Sequence, residues 1–372
     1  MKKISIIIPT LTVGGGEKVA VENANDLSSA GYEVYLIVPK GKIIKQTVNP
    51  SVRLITGSCS NLIADVLFCL RKLRMIRPDV VLSYMERANF INIISSFFGT
   101  WDIYCSIHTV PSEAYKTRSF IAKLLIKISM LISKMRQLPY ICVSKGVKNE
   151  LEEHYKLNNV HLVENYINDR EVVEYGDDDM LSLDSKVIIS FVGRLNKIKG
   201  ADVFIDAIGL ANRKSKLVNK KFWVVGDGKE RRNLELLAHE LEVSHLVEFW
   251  GEKEDVDRYF YYSDYLIVPS YLEGFGLVVL EGLIYGCQVR VSKCKYGPSE
   301  IISHFNEMTD DNSFSDPSLN REIAVEELSE IILKSEHKKQ LNDINELKNK
   351  VIEVYGREIA IEKIINVIER ER

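Results

Sequence analysis

Apolar runs of three to six residues, rich in Val, Ile and Tyr, recur along the whole chain, and longer segments of helical periodicity separate them. Parallel strands buried on both faces need such unbroken runs, and each needs a crossover long enough to return the chain to the same edge. The alternation predicts an α/β architecture of parallel sheets covered on both faces by helices. Strands are expected at Ile4 to Ile8, Val34 to Val38, Val80 to Ser83, Ile103 to Ile107, Tyr140 to Val143 and His161 to Val163. A second set is expected at Val187 to Val192, Phe222 to Val225, Val247 to Trp250, Tyr265 to Val268 and Val289 to Ser292. Two sets in 372 residues make two domains of ordinary size.

The boundary falls in Asn165 to Ser185, an acidic stretch without an apolar period that contains Asp169, Glu171, Glu174 and the run Asp177-Asp178-Asp179. It divides the chain into a first domain over 1–165, a linker over 166–185, a second domain over 186–350 and a terminal helix over 351–372 that can pack back on the first domain. The triple Asp lies between sheets rather than at a strand end, so it reads as a solvated connector and not as a metal-binding Asp-x-Asp. Asp255-Val256-Asp257 repeats the pattern ahead of an apolar helix, where helix capping accounts for it. No metal site is expected. Met1-Lys2-Lys3 and the run Ile4 to Ile8 are too short for a signal peptide, and no apolar run reaches the length of a membrane span.

With 46% hydrophobic and 27% charged residues, the composition is that of a soluble globular protein and excludes disordered and collagenous classes. The six cysteines form no CxxC pair, and several lie inside strand-like runs, as expected for buried, reduced thiols in the cytoplasm. A net charge of −3 hides an asymmetry: residues 1–165 carry 21 Lys and Arg against 13 Asp and Glu, and the remainder carries 28 against 39. A basic first half suits an anionic partner, a phosphorylated ligand or a lipid surface, although solvated helix faces produce offsets of this size too.

Chemistry concentrates in "PSYLEGFGLVVLEGLIYG", Pro269 to Gly286, where a strand ends, Glu273 sits in a turn and a helix runs from about Phe275 through Glu281. Eight residues at helical rise span about 12 Å, the separation of the sugar and ribose of a nucleotide sugar lying along the helix start. The turn Gly274-Phe275-Gly276 brings unblocked amides to a positive helix end, as a diphosphate requires. In "FVGRLNKIKG", Arg194 and Lys199 follow a strand, at the carboxyl edge where open α/β sheets bind ligands, and supply cations. Near the start, Gly14-Gly15-Gly16 lies between a strand and a helix. A dinucleotide fingerprint would need a third Gly at Val19, so what remains is a permissive loop for close approach of phosphate or sugar. Glu17 is equally a site residue or a favourable first-turn charge.

In these motifs, over nearly its whole length, the chain resembles the retaining glycosyltransferases of family 4. The resemblance implies the GT-B fold, two Rossmann-like doubly wound domains facing a central cleft. It further implies that Glu273 contacts the donor sugar, Glu281 holds the ribose, and Arg194 with Lys199 binds the diphosphate, while Gly15 and Gly16 face the reaction centre. His108, in "YCSIHTVP", matches the His that such enzymes place beside the donor sugar, and Trp250, in "FWG", stands where they hold the base. Metal-independent transfer from a nucleoside diphosphate sugar, most commonly a UDP sugar, to a saccharide hydroxyl is what the family implies. The strand "CQVRVS" departs from it, with Gln288 and Arg290 where Pro and an apolar residue are usual, and a buried charge there needs a partner.

Tyr115 to Arg136 holds six basic residues, no acidic one and otherwise mostly apolar positions, so it can lie on an anionic membrane surface, or pack on its own sheet with Lys outward. Arg71, Lys72, Arg74 and Arg77 add a second basic cluster. A membrane-associated domain implies a lipid-linked saccharide acceptor; no nucleic acid partner is expected. Rival functions are a nucleotide-sugar-binding or scaffold subunit without turnover, a nucleotide-sugar epimerase on the same architecture, and a donor hydrolase.

Overall fold

A computed structural model describes residues 2–12, 14–41, 47–116, 119–167, 186–305, 313–337 and 341–369. The chain divides into two compact units, one of Met1–Asn165 with Glu358–Arg372 and one of Tyr166–Arg357. The 166–185 linker, with its triple Asp, lies almost wholly outside the described residues.

The first unit holds seven parallel strands: β1 (Lys3–Ile7), β2 (Glu33–Val38), β3 (Arg53–Thr56), β4 (Val80–Tyr84), β5 (Asp102–Ile107), β6 (Tyr140–Cys142) and β7 (Val160–Leu162). Their order is β3-β2-β1-β4-β5-β6-β7, so the winding reverses between β1 and β4. The second unit holds β8 (Val187–Val192), β9 (Lys220–Val225), β10 (Val247–Gly251), β11 (Tyr265–Val268), β12 (Gln288–Ser292) and β13 (Ser313–Phe314), ordered β10-β9-β8-β11-β12-β13 and parallel throughout. Here the reversal falls between β8 and β11, which pair Tyr265 with Ile189 and Leu266 with Ser190. All eleven expected strands are present. The two unanticipated ones are edge strands: β3 is largely exposed and β13 has two residues, so neither carries an apolar run.

Arg290, on β12, is buried and has a partner. Its guanidinium lies 5.5 Å from the centre of the Tyr265 ring on neighbouring β11 and donates to the Val289 carbonyl at 3.2 Å. That cation–π contact, together with the hydrogen bond, offsets the desolvation that a charge in a sheet incurs.

Three expectations need correction. The end of the chain is two helices, Leu341–Tyr355 and Arg357–Glu369, and the return to the first unit falls at 357/358 rather than 350/351. Ile167 pairs with Gly356 there, and the last helix is tied to the first unit by Lys363 with Glu164 and by Lys2 with the Ile368 carbonyl. Asp255-Val256-Asp257 makes no side-chain cap: Val256 occupies the cap position, and Asp257 stands as an acid in the first turn of Asp257–Tyr262. Cys59 is half-buried, whereas the other five cysteines are buried; all six are free thiols.

Candidate active site

In the second unit the loops that leave β8 and β11 meet at the switch point, the edge of an open α/β sheet where ligands bind. Gly200 brings them together. It ends the 3₁₀ turn Lys197–Lys199 at φ 73°, and a Cβ on it would lie 1.9 Å from the Pro269 carbonyl oxygen. Tyr271 N–H then donates to the Ile198 carbonyl at 2.8 Å. This close approach carries Lys199 to Glu273, 74 residues away in sequence, and the two form an ion pair.

Glu273 is held from three sides. Its N–H donates to the Lys295 carbonyl at 2.9 Å, and its own carbonyl accepts from Tyr296 N–H at 2.7 Å. Ser270 Oγ donates to Glu273 Oε1 at 3.2 Å, the same oxygen that Lys199 holds. Both partners act on Oε1, so Oε2 makes no hydrogen bond among the described residues. A carboxylate fixed by one oxygen and open at the other is suited to accept from a ligand hydroxyl. Ser270 and the Lys295-Tyr296 segment carried no signal in the sequence beyond their places in loops.

The helix expected from about Phe275 begins instead at Leu277. Gly276 caps it at φ 94°, a left-handed conformation that a helix cannot continue through. The span from Glu273 to Glu281 is therefore four turn residues followed by helix, so the 12 Å obtained from helical rise does not describe it. No side chain caps this helix start and its first turn holds no acid, so its positive end suits an anion, although Val279 N–H already donates to the Gly276 carbonyl at 2.9 Å. Glu281 is half-buried on the same helix. Buried Phe275 stacks edge-on against Tyr355 at 5.8 Å, and the Tyr355 hydroxyl lies 2.6 Å from His304 Nδ1. Sequence reasoning missed this brace, which comes from a helix 80 residues downstream.

Arg194 is exposed just past the end of β8. Its loop is laced to the loop after β9, with Leu195 N–H donating to the Asp227 carbonyl at 2.9 Å, and Gly226 N–H donates to the Gly251 carbonyl at 2.8 Å. Gly226-Asp227-Gly228, which follows β9, and Phe249-Trp250-Gly251 thus share one edge with Arg194. Half-buried Trp250 packs on Tyr259 at 5.4 Å and Trp223 at 5.9 Å, with Lys253 Nζ 5.7 Å from its ring centre. Trp250 Nε1 has no hydrogen-bond partner among the described residues.

The first unit carries its own cluster at the β1/β4 reversal. The helix Gly15–Ser29 begins inside the triple glycine. A Cβ on Gly15 would meet nothing within 4 Å, so neither packing nor backbone requires glycine there. Glu17 is buried and accepts from Thr10 Oγ1 at 3.3 Å and Thr12 Oγ1 at 3.2 Å, which makes it an organiser of the glycine loop. Past the end of β5, His108 stacks on Tyr84 at 5.4 Å, and its Nε2 lies 2.8 Å from Ser106 Oγ. Burial lowers its pKa to about 4, so the ring is neutral at physiological pH, and Nδ1 has no hydrogen-bond partner among the described residues. Sequence reasoning missed Tyr84, Thr10 and Thr12. Among the described residues no group of three or more His, Cys, Asp or Glu could hold a metal ion.

Two doubly wound parallel sheets, each reversing its winding near its centre, make the architecture of the GT-B fold. Two family models match consecutive stretches of the chain: Glycosyltransferase Family 4 over residues 13–171 and Glycosyl transferases group 1 over 177–348. The chain belongs to this family of glycosyltransferases. An uncharacterized glycosyltransferase of Haemophilus influenzae is 26% identical over 368 residues, 98% of each chain. A Campylobacter jejuni enzyme named as an N-acetylgalactosaminyltransferase acting on a diphospho-undecaprenol-linked saccharide is 26% identical over 319 residues, 81% of this chain and 84% of that one. In fold, the chain is similar to the Anabaena protein HepE solved with UDP and glucose, with a TM-score of 0.78, 14% identity and 100% of each chain covered.

Proposed function

We propose that the chain transfers a sugar, with retention at the anomeric carbon, from a nucleoside diphosphate sugar to a hydroxyl of a lipid-linked saccharide during surface glycan assembly at the inner face of the cytoplasmic membrane. The observation that carries this is the Lys199–Glu273 pair at the β8/β11 reversal, beside an uncapped helix start. Arg194, Lys199 and the amides at Gly274, Phe275 and Gly276 take the diphosphate and stabilise the charge on the departing nucleoside diphosphate, so transfer needs no metal. Glu273 Oε2 accepts from a hydroxyl of the transferred sugar, Glu281 from the ribose, and Trp250 packs against the base. His108, uncharged, meets the sugar through Nδ1, and Gly15 and Gly16 let the reacting groups approach. Attack from the leaving-group side, with a phosphate oxygen taking the acceptor proton, accounts for retention without a carboxylate nucleophile. Likeness to HepE, solved with UDP and glucose, favours a UDP sugar, and the Campylobacter relative favours a polyprenol-linked acceptor.

A thermal-shift panel of UDP, GDP and ADP, followed by donor consumption with and without acceptor, tests the assignment. A diphosphate at 100 times its dissociation constant adds about 2.7 kcal/mol, roughly 5–10 °C for a unit of this size. Absence of any shift removes the donor site, and donor loss independent of acceptor identifies a hydrolase.

A further inference from the structure

The helix Phe120–Arg136 is built inside out. Ser129 and Ser133 point inward, with Ser133 Oγ 2.9 Å from the Tyr140 hydroxyl of β6, while Phe120, Leu124, Ile128, Leu131 and Met135 stand outward, Phe120 at 81% exposure and Met135 at 77%. Spacings of three and four residues align these five in one stripe along a helix about 25 Å long. A helix packed on its sheet with only Lys outward would bury that stripe. Lys127 and Lys134 are exposed beside it, and the helix has no Asp or Glu.

The helix Leu62–Ile76 repeats the arrangement, exposing Ile63, Leu67 and Met75 together with Arg71 and Arg74. Its one acid, Asp65, is buried and paired with Arg87. Between the two helices packs Glu86–Ser95, followed by the 3₁₀ turn Ser96–Phe98 with exposed Phe97 and Phe98. Arg136 lies 4.8 Å from the Phe97 ring centre and donates to Ser96 Oγ at 2.7 Å, and Arg74 lies 5.9 Å from that of Phe98, so the three segments form one surface. Ten of the 16 exposed large apolar side chains among the described residues stand on it, far from the single scattered residues of an ordinary surface.

We infer that this three-segment face docks on an anionic bilayer, deepening the acceptor part of the proposed function, on which it rests for its purpose but not for its binding. The apolar stripes enter the acyl boundary, and Arg71, Arg74, Lys127, Lys134 and Arg136 meet lipid phosphates. A second copy of the chain is a poor occupant, because a two-fold contact would set this basic face against itself.

Co-sedimentation with phosphatidylcholine vesicles, with and without phosphatidylglycerol, at low and high salt, tests it. Wild type is expected to bind the phosphatidylglycerol vesicles at low salt and to lose most binding without the anionic lipid. Each cation removed should weaken partition roughly fivefold, so Lys127→Gln/Lys134→Gln should fall about 25-fold with an unchanged melting curve and unchanged turnover of a water-soluble acceptor. Leu124→Ser/Leu131→Ser should lose the salt-resistant part. Failure of wild type to bind at low salt, equal binding to both vesicle types, or a wild-type dimer that Leu124→Ser dissociates would each overturn the inference. Vesicle binding without sugar transfer leaves the surface standing and defeats the function; transfer without vesicle binding does the reverse.

Discussion

Replacing Gly200 by Ala puts a Cβ 1.9 Å from the Pro269 carbonyl oxygen, where ordinary contact begins at 3.4 Å, so the loops after β8 and β11 must part by about 1.5 Å. The left-handed φ of 73° adds about 1–2 kcal/mol for any residue with a Cβ, and overpacking adds about 1–3 kcal/mol. The second unit should therefore melt roughly 5–15 °C lower, as differential scanning calorimetry would read. The Ile198–Tyr271 hydrogen bond and the Lys199–Glu273 pair cross the same gap, and a displacement of about 1 Å at reacting groups costs about 100-fold in rate. Gly15→Ala is the complementary variant: nothing lies within 4 Å of its Cβ and its φ is not left-handed, so stability should hold or rise by up to about 1 kcal/mol. On the proposed site its turnover should nevertheless fall, since the added methyl would occupy space assigned there to the reacting groups. Initial rates of nucleoside diphosphate release measure both. A Gly200→Ala protein with wild-type melting and turnover would refute the lacing of the two loops, and undiminished turnover in Gly15→Ala would remove the glycine loop from the site.

Arg194→Ala, Lys199→Ala and Glu273→Ala should each lower kcat by roughly 100 to 1,000-fold; near-normal rates in all three would withdraw the assignment. His108 has a pKa lowered to about 4 in the folded chain, so between its unfolded value near 6.5 and about 4 the unfolded state binds the extra proton. Its contribution is thus complete above that window and lost as the pH falls through it, and thermal melts of His108→Gln should show a flatter pH dependence there than wild type. Arg290→Met removes the Tyr265 cation–π contact and the hydrogen bond to Val289, and should cost about 1–3 kcal/mol, seen as a lower midpoint in urea; an unchanged midpoint would mean that the charge contributes nothing net.

How much of this was legible depended on whether a feature is written locally. Strands buried on both faces must be apolar throughout, so β1 or β8 can be read from five or six residues, whereas β3 and β13 at the sheet edges face no such demand. Arg194, Lys199 and Glu273 were legible as loop residues after strands. That Lys199 meets Glu273 depends instead on β8 lying beside β11, a consequence of the reversed winding that no stretch of sequence states. Ser270 and the Lys295-Tyr296 segment, which hold Glu273, are invisible for the same reason.

Direction is harder to read than periodicity. The stripe of Phe120, Leu124, Ile128, Leu131 and Met135 has the same spacing whether it faces the sheet or the solvent, so the apolar pattern alone cannot orient the helix. What orients it is the opposite face, where Ser129 and Ser133 are small enough for close approach to the sheet and Ser133 meets the Tyr140 hydroxyl. The glycines divide by the same logic. Gly200 and Gly276 answer to left-handed backbone and close neighbours, so the fold accounts for them. Gly15 has no such requirement among the described residues: nothing lies within 4 Å of a Cβ built on it and its φ is not left-handed, so the role proposed for it rests on the reaction and not on the fold.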